Sequence, residues 1–112
     1  MLQVQDHHVF KAFSEPIRLR IAVLLTQGEL CVCDLTEVLQ LPQSTVSRHM
    51  NRLKVSGIVL DRRDGKWVHY SLAGEFSRSY SEYQSLLETL QQKEPYQSDR
   101  RKLVEYLKTK KC

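Results

Sequence analysis

The 112-residue sequence predicts a mainly helical domain with one small β-ribbon. Three observations predict it. Apolar residues recur at helical spacing through most of the chain. The period changes once, between Ile58 and Leu72, where β-branched and aromatic residues flank Asp64-Gly65. With 41% hydrophobic and 27% charged residues, four Gly and three Pro, the composition suits one globular domain and leaves no room for a second independent core.

The first helix, about Gln5 to Phe13, gathers Val9, Phe10 and Phe13 on one face, as a lid or interface helix would. Ser14 is placed to cap the second helix and Pro16 suits its first turn; Ile17, Ile21, Leu24 and Leu25 form its stripe until Gly28 stops it. A short third helix, Cys33 to Leu39, turns Leu35, Val38 and Leu39 inward. Gln40-Leu41-Pro42 breaks it, and a fourth helix runs from Gln43 to Val55 until Gly57 ends it. Strands Ile58 to Arg63 and Lys66 to Leu72 follow, joined at Asp64-Gly65 by a type I′ turn, which needs φ > 0 at both central residues. A long helix from Glu75 to Glu94 carries Phe76, Tyr80, Tyr83, Leu87 and Leu90 until Pro95, and a basic last helix, Ser98 to Lys110, puts Leu103, Val104 and Leu107 on one side.

Two short helices joined by a tight turn ahead of a β-ribbon describe a winged helix-turn-helix. The helix-turn-helix is expected over about 33–56 and the wing over about 58–72, within a DNA-binding and dimerisation unit of residues 1–94, followed by a basic helix or tail at 95–112. A core of this size cannot cover two further apolar helices, so the first and fifth are expected to pack against their mates in a homodimer.

Charge distribution points to a polyanion. Between Pro42 and Lys66, the basic residues Arg48, Arg52, Lys54, Arg62, Arg63 and Lys66 face only Asp61 and Asp64. On the fourth helix Val46, Met50 and Leu53 define a narrow inward face, while Ser44, Ser47, Arg48, Asn51 and Arg52 lie opposite with Thr45 at the edge. Short hydroxyls let a backbone approach phosphates, and guanidiniums reach guanine edges. No acid interrupts this face, as a merely solvated helix would allow. Gln43, Ser44, Thr45, Ser47, Arg48 and Arg52, with Arg62, Arg63 and Lys66 on the wing, are therefore the candidate contacts to double-stranded DNA. His49 lies on the flank and reads as packed, or capping a phosphate, rather than reading a base.

Three cysteines, Cys31, Cys33 and Cys112, are an odd number, and the first two are too close in sequence for a comfortable mutual disulfide. A C-x-C pair reads as thiolate ligands or a redox sensor. The strings Glu29-Leu30-Cys31-Val32-Cys33-Asp34-Leu35, Leu41-Pro42-Gln43-Ser44-Thr45-Val46-Ser47-Arg48-His49-Met50 and Asp64-Gly65-Lys66-Trp67-Val68-His69-Tyr70 resemble the ArsR/SmtB metalloregulators, specifically the arsenical-resistance repressors. The resemblance runs from about Phe10 to Leu72. It implies a cytoplasmic homodimeric repressor on a palindromic operator, released when trivalent arsenic or antimony binds.

Thiolates are soft ligands that suit As(III) and Sb(III). Residues i and i+2 of a regular helix lie 200° apart, so one ion held by Cys31 and Cys33 is expected to unwind the first turn of the third helix. That helix props the fourth, which would couple inducer to operator. The family pattern often carries a third cysteine three residues on, where this chain has Thr36, leaving the third position to Cys112, an external thiol or nothing. In an alternative reading the pair senses another thiophilic metal, an oxidant or a persulfide. His7 and His8 are assigned no metal site, and the aromatic stripe of Phe76, Tyr80, Tyr83 and Leu87 reads as core or interface rather than a cofactor pocket.

An enzyme is not expected: a thiol-disulfide oxidoreductase would want C-x-x-C in a βαβ context. Neither is a winged-helix module that has lost DNA binding, since acids or apolar residues would then occupy the 44–52 face. No constitutive cofactor and no protein substrate are expected. No apolar run approaches the roughly 18 to 20 residues of a membrane span, so a cytoplasmic location without membrane contact is expected.

Overall fold

A computed structural model describes residues 6–79 and 81–110. The elements are α1 (Asp6–Phe13), α2 (Pro16–Leu25), β1 (Leu30–Cys31), α3 (Val32–Leu39), α4 (Gln43–Val55), β2 (Val59–Asp64), β3 (Trp67–Leu72), α5 (Gly74–Ser79), α6 (Ser81–Leu90) and α7 (Tyr96–Lys108). This is the mainly helical winged helix-turn-helix the sequence predicts, with one strand more than a ribbon. Antiparallel β3 sits between β1 and β2, pairing Leu30 with Tyr70 and Cys31 with His69 on one side, and Val59 through Asp64 with Leu72 through Trp67 on the other.

The helix-turn-helix forms as its periodicity dictates. Val46, Met50 and Leu53 are fully buried and dock α4 against α2 and α3, leaving the polar face outward. The α3–α4 turn closes through Gln40, which takes the left-handed conformation at φ 56° and donates its N–H to the Thr36 carbonyl. Helix α2 lies at the centre and touches α1, α4, α6, α7 and β3; accordingly Ile21 through Leu25 are all buried rather than one stripe of them.

Local chemistry moves several boundaries. Glu15 caps α2 by accepting the Arg18 N–H at 2.9 Å, whereas the Ser14 hydroxyl donates backward to the Lys11 carbonyl. Strand register pairs Asp64 with Trp67, so the two-residue turn is Gly65-Lys66 and not Asp64-Gly65. Of those two only Gly65 has positive φ, at 62°, which excludes the expected type I′ turn. The helix expected from Glu75 to Glu94 is described as α5 and α6, on either side of Tyr80, which lies outside the described residues, and α6 stops at Leu90. The α1 stripe rotates from its expected face: Val9 and Ala12 are buried, while Phe10 is 64% exposed with its ring edge on Tyr83. Phe13, Phe76 and Tyr83 form an aromatic cluster that joins α1 to α5 and α6 within one chain.

Helix α7 begins at Tyr96 and packs on α2 and α3, burying Leu103. Its first turn is clamped by a bidentate pair: Arg20 Nε and Nη2 each donate to Asp99 at 2.8 Å, and Asp99 is only 2% exposed. Arg20→Ala strands that carboxylate and should cost about 2 to 3 kcal/mol, below the fully buried limit because Arg20 keeps some solvent contact. The apolar replacement Arg20→Met with Asp99→Leu should recover to within about 1 kcal/mol of wild type in urea unfolding. An Arg20→Ala midpoint indistinguishable from wild type would show that the pair does not hold α7.

Candidate thiol site and nucleic-acid interface

The geometry at the cysteine pair follows from where α3 starts. Cys31 is its N-cap in extended conformation (φ −92°, ψ 165°) and the last residue of β1, and Cys33 is the second helical residue. The side-chain ligand atoms of Cys31, Cys33 and Asp34 lie within 4.8 Å of one another. Two thiolates at about 2.3 Å from a tetrahedral ion sit about 3.8 Å apart, a separation inside the 4.8 Å within which these ligand atoms lie, so with Cys33 reduced both sulfurs can meet one ion. The expected unwinding rested on both residues being helical; Cys31 is not, and the requirement falls away.

A capping box holds the site. Cys31 Sγ accepts the Asp34 N–H at 3.4 Å while Asp34 Oδ2 accepts the Cys31 N–H at 2.9 Å. Asp34 is 1% exposed and draws two more donors from the C-terminal helix region: Tyr106 O–H at 2.9 Å and Lys110 Nζ at 3.0 Å. Burial alone would raise this carboxyl, but the Cys31 N–H, Lys110 and Tyr106 together hold it below the ordinary carboxylate range. Burial and the bond to Asp34 push the Tyr106 phenol well up, so it stays a donor at neutral pH; its oxygen also lies 3.7 Å from Cys33 Sγ. Burial raises the Cys31 thiol against the opposing pull of the Asp34 N–H. Cys31 is a free thiol and Cys33 is disulfide-bonded. Thr36 is engaged within α3, donating to the Cys33 carbonyl at 2.8 Å. Cys112, the expected alternative third ligand, lies outside the described residues.

Asp34, Tyr106 and Lys110 are the members of this site that sequence reasoning missed. Asp34 was legible, three residues after Cys31 in capping-box spacing; Tyr106 and Lys110 give no local signal, being more than 70 residues away.

The pair opens onto a cleft of about 460 Å³ whose other walls are Gln43 and Ser47 of α4 and Lys66, Trp67 and Val68 of the wing. Thiols, recognition helix and wing thus share one cavity. Ser44, Arg48 and Arg52 are exposed, as are Gln43 and Ser47, and Thr45 is half-buried. On the wing Arg63 is exposed, Lys66 lies 5.2 Å over the Trp67 ring, and Arg62 is held by Glu29 through two bonds of 2.6 and 3.2 Å. His49 is packed as expected: burial lowers its pKa, and neutral Nδ1 lies 3.4 Å from Arg18 Nη1. Among the described residues no helix is long and apolar enough to cross a membrane.

Fold and site together define a winged helix-turn-helix regulator carrying a thiol site beside its recognition helix. The sequence model described as bacterial regulatory protein, arsR family, matches residues 15–60. The arsenical resistance operon repressor of Escherichia coli (strain K12) is 50% identical over 66 residues, which cover 58% of this chain and 56% of that protein. The arsenic resistance transcriptional regulator ArsR1 of Pseudomonas putida is 47% identical over 68 residues, 60% of this chain and 53% of that one. The chain thus spans about half the length of these curated relatives. Among solved structures, HlyU from Vibrio cholerae N16961 superimposes with a TM-score of 0.65 at 30% identity, covering 76% of this chain and 86% of that one. A homodimeric winged helix-turn-helix domain from Mycobacterium bovis superimposes with a TM-score of 0.64 at 29% identity, covering 80% and 93%. Residues 15–60 are thus an ArsR-family helix-turn-helix domain, in a chain similar to arsenical resistance repressors.

Tyr106→Phe removes one donor from a buried carboxylate that keeps two others, and should cost about 1 to 2 kcal/mol of stability by urea unfolding. Lys110→Met should cost less, because Lys110 is partly solvated. If Tyr106→Phe is neutral, the Asp34 bond does not anchor α7.

Proposed function

We propose that the chain is a transcriptional repressor that binds double-stranded operator DNA as a homodimer and is released when trivalent arsenic or antimony binds Cys31 and Cys33 in their reduced form. The observation that carries the reading is the shared cleft: ligand atoms of both cysteines lie within 4.8 Å, and the same cavity is lined by Gln43 and Ser47 of the helix expected in the major groove and by Lys66 of the wing. The names of the two curated relatives support the inducer. Exposed Phe10 on α1 and Leu86 on α6 support a mate covering that face.

Coupling arises at the N-cap. Cys31 Sγ holds the Asp34 N–H, and an ion on that sulfur competes for the same lone pairs, loosening the first turn of α3 against which α4 packs. Binding of inducer and of operator then oppose each other reciprocally. A second reading, in which the pair answers to an oxidant or persulfide, is favoured by Cys33 being disulfide-bonded.

Operator release from the reduced protein by As(III), Sb(III), Cd(II), Zn(II) and peroxide at matched concentrations, in a mobility-shift assay, decides between them. Cys31→Ser and Cys33→Ser should bind operator normally and lose release by As(III), because a hydroxyl is a poor soft ligand. Unchanged release in Cys33→Ser would sink the site, and release by peroxide alone would establish the second reading.

The pH dependence separates ligand classes further. With Cys31 held as a thiol, Cd(II) must displace its proton, so Cd(II) affinity should rise about tenfold per pH unit for each proton displaced below the thiol pKa. Arsenous acid exchanges its hydroxyls for thiols and releases water, so its affinity should stay flat from about pH 6 to 8.

The recognition face should carry the DNA affinity. Arg48→Ala should cost about 1 to 3 kcal/mol if Arg48 reads a guanine, and lower the salt slope by about one if it meets only phosphate. Operator affinity unchanged when Arg48, Arg52, Arg62 and Lys66 are all alanine would refute the DNA-binding reading.

A further inference from the structure

Helix α4 has a second cleft on its other flank. A cavity of about 350 Å³ between α1, α2 and the C-terminal half of α4 is lined by His8, Lys11, Ala12, Arg18, Arg52, Val55 and Ser56. We propose that this cleft is a second DNA-backbone contact, seating the phosphates on the groove wall that faces away from the wing. The inference rests on the reading that α4 enters a major groove.

Charge carries the argument first. Lys11, Arg18 and Arg52 come from three different helices, and among the described residues no acidic side chain lines the cavity. Lys11 and Arg52 are exposed, and among the described residues neither makes an ion pair. Arg18 spends Nε on the Ala12 carbonyl at 2.8 Å and has Nη1 3.4 Å from neutral His49. The neighbouring acid, Glu15, is occupied as the α2 cap and lies 3.8 Å from His49 Nδ1. Three cations gathered in one concavity repel each other unless a polyanion supplies the countercharge. Other cations on this surface face a carboxylate close by, as Lys54 does Asp61 and Arg62 does Glu29; in this cleft none is in reach of Lys11 or Arg52 among the described residues.

Geometry carries it second. A helix in a major groove about 12 Å wide has a sugar-phosphate strand along each flank. On the α3 side, α4 presents Gln43 and Ser47 to the cleft that contains Lys66 of the wing. On the opposite side it presents Arg52, Val55 and Ser56 to the cleft that contains Lys11 and Arg18. Cations thus stand along both flanks of the recognition helix, where the two strands would run. Since phosphate contacts position a protein without reading sequence, this second row would set the depth and tilt of α4 in the groove.

The full-length protein, titrated by fluorescence anisotropy onto a mixed-sequence duplex between about 50 and 200 mM salt, tests this without knowledge of the operator. Lys11→Gln should lower the slope of log affinity against log salt by about 0.9 per protomer, and Lys11→Glu should weaken binding by at least about tenfold at the same salt. Lys93→Gln, an equal change of charge outside both clefts, should leave slope and affinity at wild-type values, and all variants should melt at the wild-type temperature. Lys11 variants with wild-type slope and affinity, alongside an Arg48→Ala that binds weakly, overturn the second contact and leave the DNA-binding reading intact. An effect of Lys93→Gln as large as that of Lys11→Gln reduces the result to net charge and overturns the contact equally. Wild-type protein that binds no duplex at all removes the reading and the contact together.

Discussion

Burying a carboxylate away from water costs several kcal/mol unless donors replace the lost hydration, and the position of nearly everything around the thiols follows from how Asp34 meets that cost. Its oxygens take the Cys31 N–H, the Tyr106 hydroxyl and the Lys110 ammonium. The first bond pins the end of β1 to the start of α3 and so sets where both sulfurs stand. The other two seat α7 across the same turn. Because these bonds hold the carboxyl below its ordinary value, Asp34 is ionised at neutral pH, and the stability it contributes is present above the usual carboxylate range and is lost as pH falls through the lowered folded value. The Arg20–Asp99 pair repeats the device at the other end of α7, so the basic helix is fastened at both ends by carboxylates that are almost wholly buried.

What was legible in the sequence divides by range. Helix α4 was legible in full, since Val46, Met50 and Leu53 lie on one face at helical spacing and all three are buried with the polar face outward. The two residues of β1 were not. A two-residue strand has no period to detect, and its partners, His69 and Tyr70, are nearly 40 positions away. Missing it left the pair judged by helical i, i+2 geometry although the predicted helix began at Cys33, and from that came the expected need for unwinding, which Cys31 at the N-cap removes. Cysteine is an uncommon N-cap, which hid a capping box whose acid stood at the right spacing. The hairpin slipped by one position because Asp-Gly is a strong turn signal, yet cross-strand pairing favours Asp64 opposite Trp67. Tyr106 was legible only as a helix residue, because nothing local encodes which carboxylate it will meet.

The two flanks of α4 differ in what holds their charges. On the wing, Arg62 is already bound to Glu29, two residues before Cys31, and Lys54 to Asp61. Exposed pairs of this kind contribute little to stability, so a phosphate can take Arg62 from Glu29 at little cost. On the opposite flank Lys11 and Arg52 have no such partner among the described residues. On the wing side a backbone strand would have to displace a carboxylate from Arg62 and Lys54, whereas Arg63 and Lys66, like Lys11 and Arg52, make no ion pair among the described residues.

That difference bears on how a thiol ligand could reach the DNA. Glu29 and Cys31 belong to one short segment, fixed to the wing by Arg62 and by the pairing of Cys31 with His69, and to α3 by the Asp34 cap. Any ion that draws Cys31 Sγ toward Cys33 pulls on this segment from its middle, and the strain has two exits. One is the α3 cap, whose loss loosens the seat of α4; the other is the Glu29–Arg62 pair, which links the segment to the wing. Both exits lie on the wing side of the recognition helix. The far flank, formed by α1 and α2 and packed on fully buried Ile21 and Val9, is outside that path. On the proposed reading, a ligand acting through Cys31 would disturb the helix expected to read sequence and the wing while leaving the opposite row of cations in place, a combination that would weaken specific binding more than non-specific binding.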